Sequence, residues 1–197
     1  MTRRVSLNHH QLQQLLKPEN ELEKILLSTD AFLRGMDWGE PRFGHPEGKV
    51  AAHVREVLDN IDRLEGLGDS ERTRLRLISL AHDTFKYLED RSNPRDWTKH
   101  HGVIARDFLQ EFTTDPVVLK ITAFHDDAYY AWLYEKRHVE HLQHKQLELF
   151  QRRMEDCMQL FYLFFKCDTL TGDKTLAPLT WFEEHVSGID LVYLERK

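Results

Sequence analysis

Five apolar stripes at helical spacing each carry an imidazole or a carboxylate where a core residue belongs, and no other feature constrains this chain as much. His53 sits three residues after Val50 and four before Val57, on the apolar face of its segment. His82 falls between Ile78 and Phe85, with Asp83 beside it. His101 shares a row with Ile104, Ala105 and Phe108, and His125 lies between Ile121 and Trp132 in line with Ala128. Asp168 follows Phe161, Phe164 and Phe165. A polar group on a buried face costs free energy unless it finds a partner, and a lone inward histidine is ordinarily a hydrogen-bonded core residue. Repeated over several segments, uncompensated intrusion would be very destabilising. A bound cation would neutralise the carboxylates and satisfy the imidazoles. Imidazole and carboxylate are also the ligand types that suit a divalent transition metal.

The stripes predict an all-α fold. Leucine occurs 28 times against 10 valines and 6 isoleucines, which favours helix over strand. Leu22, Ile25, Leu26, Phe32 and Leu33 repeat at helical spacing after Pro18, a residue suited to a helix start. Val50, Val54, Val57, Leu58, Ile61 and Leu64 form a second stripe, ended by Gly66 and Gly68. Further stripes run through about 70–89, 100–112, 116–134 and 139–166, with a shorter one at the C-terminal end. Gly35, Gly39, Gly44, Gly48, Pro41 and Pro46 crowd into one long loop, and 89–95 forms a second. Thr114-Asp115-Pro116 reads as a helix N-terminus. Neither repeats nor long linkers appear. The expectation is one compact multi-helix domain over 1–197, with a motif-bearing core at about 45–172 and the flanking helices of 1–44 and 173–197 packed on it.

Charge and composition narrow the partners. The net charge of −6 argues against a non-specific nucleic-acid binder, which needs a basic face. No apolar run is long enough for a membrane span. The first residues, Met1 to Asn8, have charge but no apolar stretch behind them, and Cys157 and Cys167 cannot frame a disulfide scaffold. A cytoplasmic location is expected.

Taken in order, His53, then Ala81-His82-Asp83-Thr84-Phe85-Lys86, then His101, Phe124-His125-Asp126 and Asp168 form a motif series. His45-Pro46-Glu47-Gly48-Lys49-Val50 leads into it. This series resembles the HD-domain metal-dependent phosphohydrolases, over about residues 45–172. The resemblance implies an HD-domain-like bundle with a metal between helices, held by His53, His82, Asp83 and Asp168. It further implies that His101 and His125 serve a second ion, with Asp83 shared between the two; His100 is the rival for His101. Some dinuclear members carry His-His where this chain has His125-Asp126. The Gly-Tyr-Pro element of the cyclic-dinucleotide branch is missing from the sequence.

The chemistry such groups permit can be argued directly. A divalent cation lowers the pKa of bound water to about 7, and two ions about 3.5–4 Å apart can bind both the attacking oxygen and a phosphoryl oxygen. Hydroxide attack on phosphorus in a small phosphate ester, such as a nucleotide, is the expected reaction. Mn, Fe, Co, Ni and Zn all suit the nitrogen and oxygen ligands. Lys86, three residues after Asp83, either faces the substrate phosphate or holds Asp83, or is a surface lysine. Asp126 orients water, protonates the leaving group, or is solvated. Arg91, Arg95 and Lys99 reach the substrate phosphate or form a solvated loop. Tyr129, Tyr130, Trp132 and Trp97 stack on a base or pack in the core. His138, His141 and His144 step around a charged helix and are read as surface residues, as are His9 and His10. Cys167 is read as packing. Two rival functions are a di-iron oxygenase on the same fold and a non-catalytic nucleotide- or metal-binding module.

Overall fold

The computed structural model describes residues 6–137 and 140–196, without the side chains of 140–144. His138, like Met1 to Val5, lies outside the described residues, as do the side chains of His141 and His144. The fold is all-helical. Among the described residues there is no strand, only an isolated bridge between Arg42 and His45. No helix is long and apolar enough to cross a membrane.

Three short helices open the chain: α1 (His9–Leu16), α2 (Glu21–Leu27) and α3 (Asp30–Met36). Asn8, Asn20 and Thr29 cap them through side-chain oxygens that accept from the third residue on. The stripe expected to run on from Pro18 is therefore two helices. Ser28 and Thr29 donate their hydroxyls to the carbonyls of Ile25 and Leu26 and end α2. His9 is less free than its position suggested, because its Nδ1 lies 3.1 Å from the Leu27 carbonyl and its Nε2 3.1 Å from Asp30.

The centre consists of α4 (Val50–Ile61), α5 (Asp69–Ala81) and α10 (Met158–Thr169), which pack pairwise against one another. Val54, Val57, Leu58, Ile61, Leu75, Ile78, Phe161 and Phe164 fill the space between them. A second group, α6 (His101–Leu109) and α7 (Pro116–Phe124), packs on α5. Beyond it α8 (Asp127–Lys136) pairs with α9 (Glu140–Met154) and α11 (Ala177–His185). The stripes at 116–134 and 139–166 each break into two helices, at His125-Asp126 and at 155–157. Neither break carries a glycine or proline, so the apolar period runs through both unmarked.

A buried ion pair helps fasten the N-terminal layer to α5, beside the contacts of Arg72 and Arg76 with Glu19. Arg76, 1% exposed, donates Nε and Nη2 to the two carboxylate oxygens of Glu23 at 2.9 and 2.8 Å. Gly35 brings α3 onto the chain just after α5: a Cβ there would lie 1.8 Å from the Thr84 carbonyl oxygen.

Candidate metal centre

The three central helices each deliver a ligand-type side chain to one point. His53 comes from the middle of α4 and Asp168 from the last turn of α10. The sequence placed His82, Asp83, His101 and His125 on helix faces; they sit instead at helix ends. His82 and Asp83 follow the last residue of α5, His125 follows the last residue of α7, and His101 is the first residue of α6. The last carbonyls of a helix lack intrahelical partners. His82 Nδ1 lies 2.8 Å from the Ser79 carbonyl, and His125 Nδ1 lies 2.9 Å from that of Thr122.

Those contacts fix the tautomers. A carbonyl only accepts, so Nδ1 of His82 and His125 carries the hydrogen. His53 Nδ1 lies 3.3 Å from Thr171 Oγ1, whose own hydrogen goes to the Asp168 carbonyl, so that hydroxyl oxygen accepts from the ring. Glu89 Oε1 plays the same part for His101 Nδ1 at 3.0 Å. In the neutral rings each Nε2 then presents a lone pair. The Nε2 atoms of His53 and His82 are 3.2 Å apart, and those of His101 and His125 are 3.1 Å apart. Facing lone pairs at such distances repel unless a cation or proton lies between them.

Carboxylates complete both sets. Asp83 Oδ2 lies 3.7 Å from His53 Nε2 and 3.5 Å from His82 Nε2, while its Oδ1 lies 3.4 Å from His101 Nε2 and 3.7 Å from His125 Nε2. Asp168 Oδ1 adds a contact of 2.9 Å to His53 Nε2. The buried groups His53–His82–Asp83 and Asp83–His101–His125 could each hold a metal ion. Their nitrogen and oxygen donors, oriented by outer carboxylates and carbonyls, are what a divalent transition metal requires.

Electrostatics separate the two sets. Burial, reinforced by the charge of Lys174, lowers His53 to about 4, so its ring is neutral at pH 7. Burial also works against a proton on His125, but Asp126 and Asp83 outweigh it and push that ring up to about 9. Asp83 and Asp168 stay ionised despite burial, through Lys86 and His82 in one case and Lys174 and His53 in the other. Lys86 Nζ lies 2.5 Å from Asp83 Oδ2, and Lys174 Nζ lies 3.0 Å from Asp168 Oδ1. Each carboxylate has its own lysine.

His101, not His100, faces His125. His100 caps α6, accepting the Gly102 N–H at Nδ1 over 3.1 Å, and its Nε2 points toward Asp126 Oδ2 at 3.3 Å. The close approach falls at Gly102, where a Cβ would lie 2.7 Å from the Thr122 carbonyl and 3.1 Å from His125 Nδ1. Ala105, which shares a row with His101, is buried one turn further on.

The two larger cavities beside the candidate ligands are both lined by Lys86 and Asp126. The first, of about 360 Å³, is also lined by His82, Asp83, His125 and Asp168, with Arg42, Phe43, Tyr129 and Lys174 among its other walls. The second, of about 390 Å³, is lined by Glu89, Arg91, Arg95, His101 and Tyr130 as well. Arg95 pairs with Glu89 and donates to the Tyr130 hydroxyl at 2.9 Å. Arg91 is largely exposed and 3.3 Å from Glu89. Lys99 lines neither cavity; it is 61% exposed and pairs with Asp96 and Asp90. Asp126 is held ionised by His125, His100 and Lys86 against the effect of burial, so it accepts hydrogen bonds and is a poor proton donor. Tyr130 and Trp97 pack edge to face beside Arg95, whereas Tyr129 faces the first cavity.

Four residues near the ligands escaped the sequence reading as functional. Glu47 stood inside the quoted His-Pro-Glu-Gly segment, so its signal was present. Glu89, Arg42 and Lys174 lie in charged or irregular stretches where no periodicity marks them. Compared with protein-family models, with curated proteins and with solved structures, the chain matches none.

Proposed function

We propose that this chain is a metal-dependent phosphohydrolase acting on a small phosphate ester, of the HD-domain kind its motif series resembles. The observation that carries the reading is Asp83, which turns one carboxylate oxygen to each of two buried histidine pairs beside a cavity lined by cations. Ions held by His53, His82, Asp83 and Asp168, and by Asp83, His101 and His125, would supply acidified water and charge neutralisation at a phosphoryl oxygen.

The chain's own residues then have separable tasks. Lys86 and Lys174 keep Asp83 and Asp168 ionised and fixed in direction. Asp126 accepts a hydrogen bond from the attacking water and orients it. Arg42, with no carboxylate partner among the described residues, pairs with the substrate's phosphate at the cavity. Thr171 and Glu89 hold the His53 and His101 rings in their ligating tautomers, with the charge of Glu47 beside His53.

Metal content per chain, measured on protein purified without chelator or affinity-tag metal, tests this beside the Asp83→Ala variant. About one or two ions per chain, lost in the variant together with hydrolysis across a phosphate-ester panel, is the expected result. Activity that survives Asp83→Ala removes the mechanism. Substrate turnover that consumes dioxygen would instead favour the oxygenase.

A further inference from the structure

The rim of the first cavity carries an unused aromatic ring. Phe43 is 85% exposed, yet it lines the cavity together with Asp83 and Asp168. Among the described residues no ring packs against it. Burying a phenyl side chain is worth about 1.5–3 kcal/mol, so a ring displayed at the mouth of this cavity has that much to offer an apolar group that enters it.

The ring is displayed by a firm turn. Arg42 and His45 exchange both backbone hydrogen bonds, His45 N–H to the Arg42 carbonyl at 2.8 Å and Arg42 N–H to the His45 carbonyl at 3.0 Å. Gly44 supplies the left-handed conformation at φ +82°. Its N–H donates to Asp173 Oδ1 at 2.6 Å. Gly172 packs so closely that a Cβ there would lie 3.1 Å from the Gly44 carbonyl oxygen. The turn is thus tied to the same loop that carries Lys174. Tyr129, 39% exposed, lines the same cavity from α8.

We infer that Phe43 and Tyr129 form an aromatic clamp, and that the substrate is a phosphate ester whose organic part bears a flat ring. This rests on the phosphate-ester reading of the site and adds the selectivity for the alcohol portion. Phe43 covers the ring, Arg42 beside it meets the charge, and the cavity of about 360 Å³ takes both. Aromatic stacking tolerates many rings and supplies preference for the class.

The test is calorimetric binding of phenylphosphonate and methylphosphonate to the Mn²⁺-loaded protein, which separates ring from phosphonate without relying on turnover. The wild-type chain is expected to prefer phenylphosphonate by about ten-fold. Phe43→Ala erases that preference while leaving methylphosphonate affinity unchanged, and Phe43→Trp retains it. Equal affinities in the wild-type chain, or a preference that persists in Phe43→Ala, overturns the clamp and leaves the phosphate-ester reading standing. If neither phosphonate binds, the phosphate-ester reading falls, and the clamp with it.

Discussion

His82 and His125 occupy the same local frame: each follows the last residue of a helix, each donates Nδ1–H to the carbonyl three residues back, and each precedes an aspartate. Their Nε2 atoms serve different partners, His53 in one case and His101 in the other. The two candidate ligand sets are therefore built by one device used twice, and Asp83 is the residue they share.

That separation makes stoichiometry informative. His125→Ala removes a nitrogen from the second set alone, and elemental analysis should show metal content falling from about two ions per chain to about one. His53→Ala should empty the first set and leave the second. Loss of both ions in either variant would mean that the sets do not load independently.

Glu89 acts on the second set without belonging to it. Burial opposes its ionisation, but His101 and Arg95 hold its carboxyl at about 2, so it stays an acceptor for the His101 Nδ1–H across the neutral range. Glu89→Gln should weaken metal binding about 10- to 100-fold, the usual cost of losing an outer-shell partner, as read by competition with a chelator.

Gly102 fixes how closely α6 approaches α7. Gly102→Ala forces a methyl group into the Thr122 carbonyl and against His125. Urea unfolding should show a loss of about 1–3 kcal/mol, and the second ion should be lost before the first.

The Arg76–Glu23 pair ties the N-terminal layer to the core with both partners buried. Arg76→Met alone leaves Glu23 buried and uncompensated and should cost about 3–5 kcal/mol. Arg76→Met with Glu23→Leu should recover most of that loss in the same unfolding assay.

Asp115 gives a pH dependence away from the ligands. Burial tends to raise its pKa, but the Arg74 hydrogen bond of 2.7 Å and the N–H groups of Val118 and Val117 lower it. A depressed carboxylate adds stability above its unfolded pKa and loses it as pH falls through the folded value. Asp115→Asn should therefore be about 0.5–1 kcal/mol less stable than the wild type at pH 7. The gap should close as the solution is acidified through the carboxylate range.

Much of this was legible in the sequence, for uneven reasons. Helical periodicity revealed the all-α fold because the apolar stripes are dense, and Asp115-Pro116 announced its helix start as written. The break after Phe124 stayed hidden because no glycine marks it: the backbone stays right-handed at His125, and the ring's Nδ1–H meets the Thr122 carbonyl. The ligand types were readable at His53 and Asp168, which do lie within helices. His82, Asp83, His101 and His125 were readable as residues but not as helix ends, since a stripe continues past a cap when the cap itself faces inward. Arg42 and Lys174 carry no pattern; only the folded loops bring them to the cavity.

Gly35 bears on where the chain can be cut. The motif series begins near residue 45, which tempts one to treat the preceding helices as an appendage. Yet the backbone that follows the His-Asp pair rests on α3 with no room for a single methyl group between them. Those first helices act as a mould, and a fragment trimmed to the motifs alone would leave the stretch after Asp83 without the surface that shapes it.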